Sequence, residues 1–245
     1  MPNPGGELKG ATIATGGEEI RKGARFLASQ NALLLLLAGA AGCIDALSYL
    51  GLGQVFTANM TGNTVLLGVA LCRARWWAVA RSGAALVGFL TGVAVGAAVA
   101  ERGREDVAWP RSVTAALALE FAALLVLAAG WAFAGETRAV LYCLIFVSAL
   151  AMGVQSAAVG RLGVSSVSTT YVTGTLTTFT RRSVDRLRPG GKDPKRGPRL
   201  TAGVWLSYLA GAITGGAAGA WWTRGAILPP LVLVAAVVAT RCRGR

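Results

Sequence analysis

Long apolar stretches alternate with short polar ones along most of this chain. Six stretches are almost free of charge, at 31–50, 82–100, 112–134, 138–160, 202–222 and 226–240. Most of them reach the roughly 20 residues that a helix needs to cross hydrocarbon about 30 Å thick. A helix of a soluble protein rarely stays apolar on all sides for so long. The pattern predicts an all-α, polytopic membrane helix bundle, in which the last stretch is the weakest candidate span.

Two similar polar segments interrupt this pattern. VFTANMTGNT at 55–64 is echoed by VSTTYVTGT at 167–175, and LVGFLTG at 86–92 returns as LAGAITG at 209–215. The Thr-Gly pairs of the first echo lie 112 positions apart (173 − 61), and the second echo is offset by 123 (209 − 86). We predict a disordered cytoplasmic tail over 1–30 and one membrane domain over 31–241, built from repeat one (31–134) and repeat two (138–241).

The number of crossings stays open between six and eight. Ser and Thr occupy ten of the sixteen positions of 165–180, which therefore cannot face lipid. This favours six full spans plus two Thr-Gly-interrupted segments, with the two halves in opposite orientation. If 55–72 and 165–180 span as well, there are eight crossings and the halves are parallel. Either arrangement leaves five of the 24 Lys and Arg residues outside, so the charge bias does not decide.

Charge and composition exclude several classes of function. The net charge of +13 comes from Lys and Arg at the ends of the apolar stretches, as in a protein of the inner (plasma) membrane with a cytoplasmic N-terminus, and not from a nucleic-acid module. The basic loop 181–199 is predicted to lie at the surface and set the topology, with anionic lipid as a further partner. The chain has no His, so His-based catalysis and metal binding are excluded. We expect no enzyme, no catalytic residue, no metal and no cofactor.

The candidate binding site lies between the two interrupted segments. Breaks at matching places in two halves of a membrane protein typically mark a central site. Thr61 and Thr173 are predicted to cap the helices that follow, which would aim backbone N–H groups into the bundle. The alternative is that these polar groups only satisfy one another. The predicted substrate-binding residues are Asn59, Thr61, Gly62, Asn63, Gln155, Thr173, Gly174 and Thr175.

Two carboxylates lie inside apolar stretches, Asp45 and Glu120. An isolated buried carboxylate costs several kcal/mol, so each must be protonated, paired or hydrated. We predict that both couple an ion to transport. The alternatives are that Asp45 braces the interrupted segment, and that Glu120 is a protonated side chain bonded to a neighbouring helix.

Two ridges of small residues follow the interrupted segments. Missing side chains let helix backbones approach closely, so the ridges are predicted to pack helices, most simply with the two equivalent helices meeting each other. Self-association into a homo-oligomer is the alternative. The ridges are Gly88, Gly92 and Gly96, and Gly211, Gly215 and Gly219.

The polar motifs resemble those of the YoaK family of bacterial integral membrane proteins. The resemblance rests on GCIDA at 42–46, VFTANMTGNT at 55–64, MGVQSA at 152–157 and TTYVTGT at 169–175, and it covers about 31–241. Ser156 stands where that family is expected to have Asn. The resemblance implies a multi-pass inner-membrane protein and supplies no substrate.

These features together predict a small secondary transporter or ion-coupled permease of unknown substrate. The alternative is a non-transporting membrane protein that acts as a structural, lipid-binding or partner-binding module. In that case the buried polar residues only hold the helices together.

Overall fold

The computed structural model describes residues 30–102, 107–133, 137–163, 172–187, 197–221 and 225–243. Within them the predicted all-α fold is confirmed. The chain divides into two compact units, Met1–Leu33 and Leu34–Arg245. The tail predicted over 1–30 lies, apart from Gln30, outside the described residues. The helices are α1 (Gln30–Gly51), α2 (Met60–Cys72), α3 (Trp76–Ala100), α4 (Arg111–Phe133), α5 (Arg138–Arg161), α6 (Val172–Leu187), α7 (Gly197–Trp221) and α8 (Leu228–Arg243).

Four helices of the described part, α1, α3, α4 and α5, are both long and apolar enough to cross a membrane. They correspond to the first four predicted spans. Helix α7 has 25 residues but is not in this set, and α8 has 16 residues, which is short for a span. The prediction that 226–240 is the weakest candidate span is therefore confirmed.

The first interrupted segment is a break between two helices. Gly53 and Gln54 both adopt left-handed backbone angles (φ 83° and 63°), which end α1, and the chain stays irregular until α2 begins at Met60. The N-cap of α2 is Asn59, whose side chain accepts a hydrogen bond from the Gly62 amide at 3.3 Å. The prediction that Thr61 is the cap is wrong, because an equally good capping residue precedes it by two positions.

The second interrupted segment continues into a helix longer than expected. Thr173 and Gly174 lie in the first turn of α6, which extends to Leu187, and α7 begins at Gly197. The surface loop predicted over 181–199 is therefore wrong for 181–187 and for 197–199. Arginine is a strong helix former, so the basic stretch at 181–182 continues α6. Residues 164–171 and 188–196 are outside the described part.

Helices α3 and α5 pack in parallel through the first glycine ridge. A methyl group added at any of these glycines would lie 2.1–2.8 Å from the nearest α5 backbone atom, so the two backbones nearly touch. Position along α3 increases together with position along α5. The nearest residues are Phe146 for Gly88, Leu150 for Gly92 and Val154 for Gly96.

The second ridge packs α7 in parallel against α1. Gly211 faces Gly39, and Gly215 faces Cys43 one turn further along. The prediction that the two ridges meet each other is wrong, since α3 and α7 make no contact in the described residues. Each ridge instead faces a helix that itself carries small residues at the crossing, Gly42 in α1 and Gly153 in α5.

Helix α1 runs opposite to α5. The Gln155 side chain donates to the Leu37 carbonyl, whereas Ser148, two turns earlier in α5, is linked through Thr57 to Ser48, much later in α1. Helix α1 therefore ends at the end of the bundle where α3 and α5 begin, which we call the Gly51 end. Helices α3 and α5 finish at the other end, the Arg161 end. The segment between α1 and α3, which consists of the break and α2, therefore starts and finishes at the Gly51 end.

Candidate functional site

Asp45 of α1 holds the first break in place. Its side chain is buried, and one carboxyl oxygen accepts hydrogen bonds from the backbone amides of Thr57 (2.8 Å) and Ala58 (2.7 Å). The other oxygen accepts a hydrogen bond from the hydroxyl of Tyr208 on α7. Three donors converge on an acceptor-only group, so the arrangement suits a deprotonated carboxylate. Asp45 thus joins three parts of the bundle.

Asn63 closes the break upon itself. Its side-chain oxygen accepts from the Phe56 amide at 3.0 Å, and its side-chain nitrogen donates to the Phe56 carbonyl. The side chain is fully buried, and both ends of the amide are used in this pairing. Together with the Asn59 cap, this means that the two asparagines of the motif bond within the segment that contains them.

A chain of three buried hydroxyls links the break to the two long helices beside it. Thr57 lies 2.9 Å from Ser48 of α1 and 3.0 Å from Ser148 of α5. Further along α5, the buried Gln155 donates to the Leu37 carbonyl of α1 at 3.1 Å. Val55, Thr57 and Ala58 of the break are buried, so this part of its non-helical backbone is enclosed by protein, which is the condition under which such backbone is tolerated at membrane depth.

The second interrupted segment is described only from Val172 onward, in helix α6. Helices α2 and α6 make no contact with each other in the described residues, and the site shared between the two segments stays a prediction. The two segments begin at opposite ends of the bundle, because α1 ends at the Gly51 end and α5 at the Arg161 end. Gly174 is half-buried on α6, and the side chains of Thr173 and Thr175 are not among those that the structure describes.

Within the first segment, the predicted residues differ in accessibility. Thr61 is exposed on α2, and Gly62 packs under the Phe56 ring, which would lie 2.9 Å from an added methyl group. The Phe56 ring in turn stacks on Tyr49, with 5.4 Å between the ring centroids. Of the residues predicted to bind substrate here, Thr61 is therefore the one directed outward.

Glu120 is buried on α4, away from these hydrogen bonds. Neither of its carboxyl oxygens has a hydrogen-bond partner within the described part of the chain. A buried carboxyl in this position carries a proton or is hydrated, because an unpaired charge there costs several kcal/mol. The predicted bond from Glu120 to a neighbouring helix is not seen among the described residues.

Four side chains that hydrogen-bond around the first break were not predicted from the sequence, namely Ser48, Thr57, Ser148 and Tyr208. Thr57 lies inside the first motif, and its place two residues before Asn59 was the available signal. Tyr208 gave none, since it stands alone in a glycine-rich helix and pairs with a residue 163 positions away.

Over the described ranges, no group of three or more His, Cys, Asp or Glu side chains lies together. A largely apolar cleft of about 580 Å³ opens between α1, α7 and α8, lined among others by Gly39, Gly211 and Val232, and it contains neither Asp45 nor Glu120.

The chain has recognisable relatives. Residues 33–240 match a family described as "Protein of unknown function (DUF1275)". The chain is 36% identical over 215 residues to the "UPF0700 transmembrane protein YoaK" of Bacillus subtilis (strain 168), and the match covers 87% of this chain and 94% of that relative. No solved structure matches the chain.

Proposed function

The chain belongs to the DUF1275 family, and we propose that this membrane protein is a small secondary transporter or ion-coupled permease of unknown substrate. Its membership confirms the resemblance to YoaK that the motifs indicated. The observation that carries the proposal is the break at 52–59, whose residues Thr57 and Ala58 are buried and are held by the carboxylate of Asp45. Interrupted segments of this kind form the substrate and ion sites of secondary transporters.

The helix contacts support an inverted repeat. Gly42 of α1 approaches the backbone of Tyr208 as Gly153 of α5 approaches that of Phe89. These pairs correspond with offsets of 111 (153 − 42) and 119 (208 − 89). Because α1 and α5 run in opposite directions, the proposed repeats are inverted, with six crossings. Arg241 of α8 stacks on Trp109 at the Arg161 end, so α8 finishes where α1 begins, on the proposed cytoplasmic side.

The crossing number is tested by cysteine labelling. In a variant whose four native cysteines are replaced, one cysteine is introduced at Gln54 or at Arg102, and intact cells are treated with a membrane-impermeant maleimide. Six crossings expose Gln54 outside and Arg102 inside, so Gln54→Cys is labelled and Arg102→Cys reacts only after permeabilisation. Labelling of both positions in intact cells would establish eight crossings.

The proposed coupling groups are Asp45 and Glu120. A proton on Asp45 removes its negative charge, so the hydrogen bonds from the break and from Tyr208 lose their charge-assisted strength and the tie between the break and Tyr208 weakens. Protonation and the position of the break are thereby linked. Glu120 has no partner to hold it in one state within the described residues, and it serves as a second proton-exchanging group.

The proposed substrate site extends from the first break towards α5, with Asn59, Thr61, Gly62, Asn63 and Gln155 along it. The second segment, with Thr173, Gly174 and Thr175, belongs to the opposite end of the same route, in keeping with an inverted repeat. The proposal requires no metal, no cofactor and no catalytic step.

Proton flux in proteoliposomes tests the proposal. The purified chain is reconstituted with a trapped pH-sensitive dye, and candidate substrates are screened for those that start proton movement. Asp45→Asn and Glu120→Gln are expected to abolish the coupled flux, and Glu101→Gln, an exposed acid after α3, is expected to leave it unchanged. A flux that persists in both buried variants would refute the coupling roles. Absence of flux for every candidate would count against transport.

A second function is favoured by one observation. Asp45, Asn59 and Asn63 all bond inside the chain, as expected for a non-transporting structural, lipid-binding or partner-binding module. In that case Asn63→Ala lowers the thermal stability in detergent and changes no flux. The transporter proposal instead expects that this variant also alters flux at temperatures where it remains folded.

A further inference from the structure

A basic cleft lies at the Gly51 end of the bundle, between the residues after α1, the end of α2 and the start of α3. It has a volume of about 470 Å³. We propose that this cleft binds the headgroup phosphate of an acidic phospholipid. The proposal concerns another part of the molecule than the Asp45 cluster and stands whether or not the protein transports a substrate.

The charge of the cleft is entirely positive. Arg73, Arg75 and Arg81 line it, and no Asp or Glu is among its lining residues. The Nε atom of Arg81 is buried without a hydrogen-bond partner in the described part of the chain. Arginine presents several N–H donors in a planar fork that matches phosphate oxygens. The cleft therefore offers donors that an anion with several oxygens would satisfy.

The backbone makes room for this guanidinium. Gly53 has a φ of 83°, and a methyl group at this position would lie 2.5 Å from Nη1 of Arg81 and 2.9 Å from its Cδ. A larger residue would be strained in this conformation and would displace the arginine. The turn that ends α1 is thus shaped around Arg81.

The surroundings of the cleft suit an amphiphile better than a free anion. One wall is the apolar side of α2, formed by Leu66, Val69 and Ala70, and Val69 is 50% exposed. Trp76 and Trp77 lie at the mouth and are 66% and 58% exposed. Tryptophan prefers the headgroup level of a membrane, so this wall continues from the headgroup towards the acyl chains. A lipid would place its phosphate on the arginines and a chain along α2.

Basic residues at this end converge on the cleft. The Arg138 guanidinium stacks on the Trp77 ring at 3.6 Å, beside the three lining arginines. These four are the basic residues that the described ranges place at the Gly51 end. Basic pockets between membrane helices on the cytoplasmic side bind anionic lipid headgroups, and the same pairing of charges applies to the arginines at this end.

Native mass spectrometry of the full chain tests the proposal. The delipidated protein is mixed with equal amounts of phosphatidylglycerol and phosphatidylcholine that carry the same acyl chains. We expect several-fold more phosphatidylglycerol on the wild type. Arg81→Gln and Arg73→Gln should remove this preference, and Arg102→Gln, an exposed arginine at the other end of α3, should keep it. Arg73 is exposed after α2, so its variant remains informative if Arg81→Gln does not fold.

Equal binding of the two lipids by the wild type would overturn the proposal. So would an equal loss of preference in Arg102→Gln and Arg73→Gln, since the effect would then reflect total charge and not the cleft. A third arm adds inorganic phosphate or glycerol phosphate. Failure of these anions to displace phosphatidylglycerol supports a lipid site, and displacement at concentrations comparable to the lipid would show that the cleft binds a soluble phosphate instead.

Discussion

In α3, the effect of a Gly→Ala substitution on stability depends on whether the glycine contacts another helix. Gly83→Ala and Gly92→Ala are the same chemical change within one helix. At Gly83 an added methyl group has no atom within 4 Å, and at Gly92 it would lie 2.1 Å from the Leu150 carbonyl oxygen. Alanine in a helix is favoured over glycine by about 0.5–1 kcal/mol, and this gain is common to both variants.

The difference in stability between the two variants therefore measures the cost of placing a methyl group in the contact between α3 and α5. Since real side-chain contacts essentially never fall below 3.0 Å, α3 and α5 would have to separate by at least 0.9 Å (3.0 − 2.1). The obstacle is backbone on both sides, so no rotamer change relieves it. Overpacking of this kind costs about 1–3 kcal/mol. We expect Gly83→Ala to stabilise the protein and Gly92→Ala to be less stable than Gly83→Ala by that amount.

Thermal unfolding in detergent measures this difference, as the temperature at which half of the protein is no longer monodisperse. A second pair on α7 repeats the design: a methyl group at Gly211 would lie 1.9 Å from the Gly39 carbonyl oxygen, whereas at Gly216 it has no atom within 4 Å. Equal shifts within either pair would refute the close packing of α3 on α5 or of α7 on α1.

Three further predictions concern the buried polar groups. Asp45→Ala leaves the Thr57 and Ala58 amides without an acceptor, which costs about 2–6 kcal/mol, whereas Asp45→Asn keeps one. The midpoint of thermal unfolding should be highest in the wild type, lower in Asp45→Asn and lowest in Asp45→Ala. Equal midpoints would contradict the role of Asp45 in holding the break. Asn63→Ala removes both hydrogen bonds to Phe56 and should cost about 1–3 kcal/mol, against little change for the exposed Thr64→Ala. Glu120→Met replaces an unpartnered buried carboxyl and should raise the midpoint; a fall would show that Glu120 holds a polar partner.

Features that depend on neighbouring positions in the chain were predictable. Hydropathy and length predicted α1, α3, α4 and α5 as spans, since the bilayer thickness sets the length of an apolar helix. The break before α2 was also predictable from neighbouring residues, because Gly, Asn and Thr together disfavour a continuous apolar helix. The contact of Asp45 with this break was among the alternatives, as the two are only 12 residues apart.

Features that depend on distant partners were not predictable. A ridge of glycines repeats every four residues, so it indicates a small-residue face but neither its partner nor its register. The similarity of 86–92 to 209–215 pairs Gly88 with Gly211. The helix contacts of the proposed repeat instead pair Gly92 with Gly211, one turn further along α3. Asn59 and Thr61 are both good capping residues, so their types alone did not decide which of them caps α2.

By itself, the sequence determined that this protein is a bundle of membrane helices, where its backbone is interrupted and which acids are buried in it. These properties follow from hydropathy and turn chemistry, which act over a few residues. Only the tertiary structure decided that α3 packs on α5 and α7 on α1, and that Tyr208 meets Asp45. Close packing depends on the shapes of two surfaces that meet only after the chain has folded.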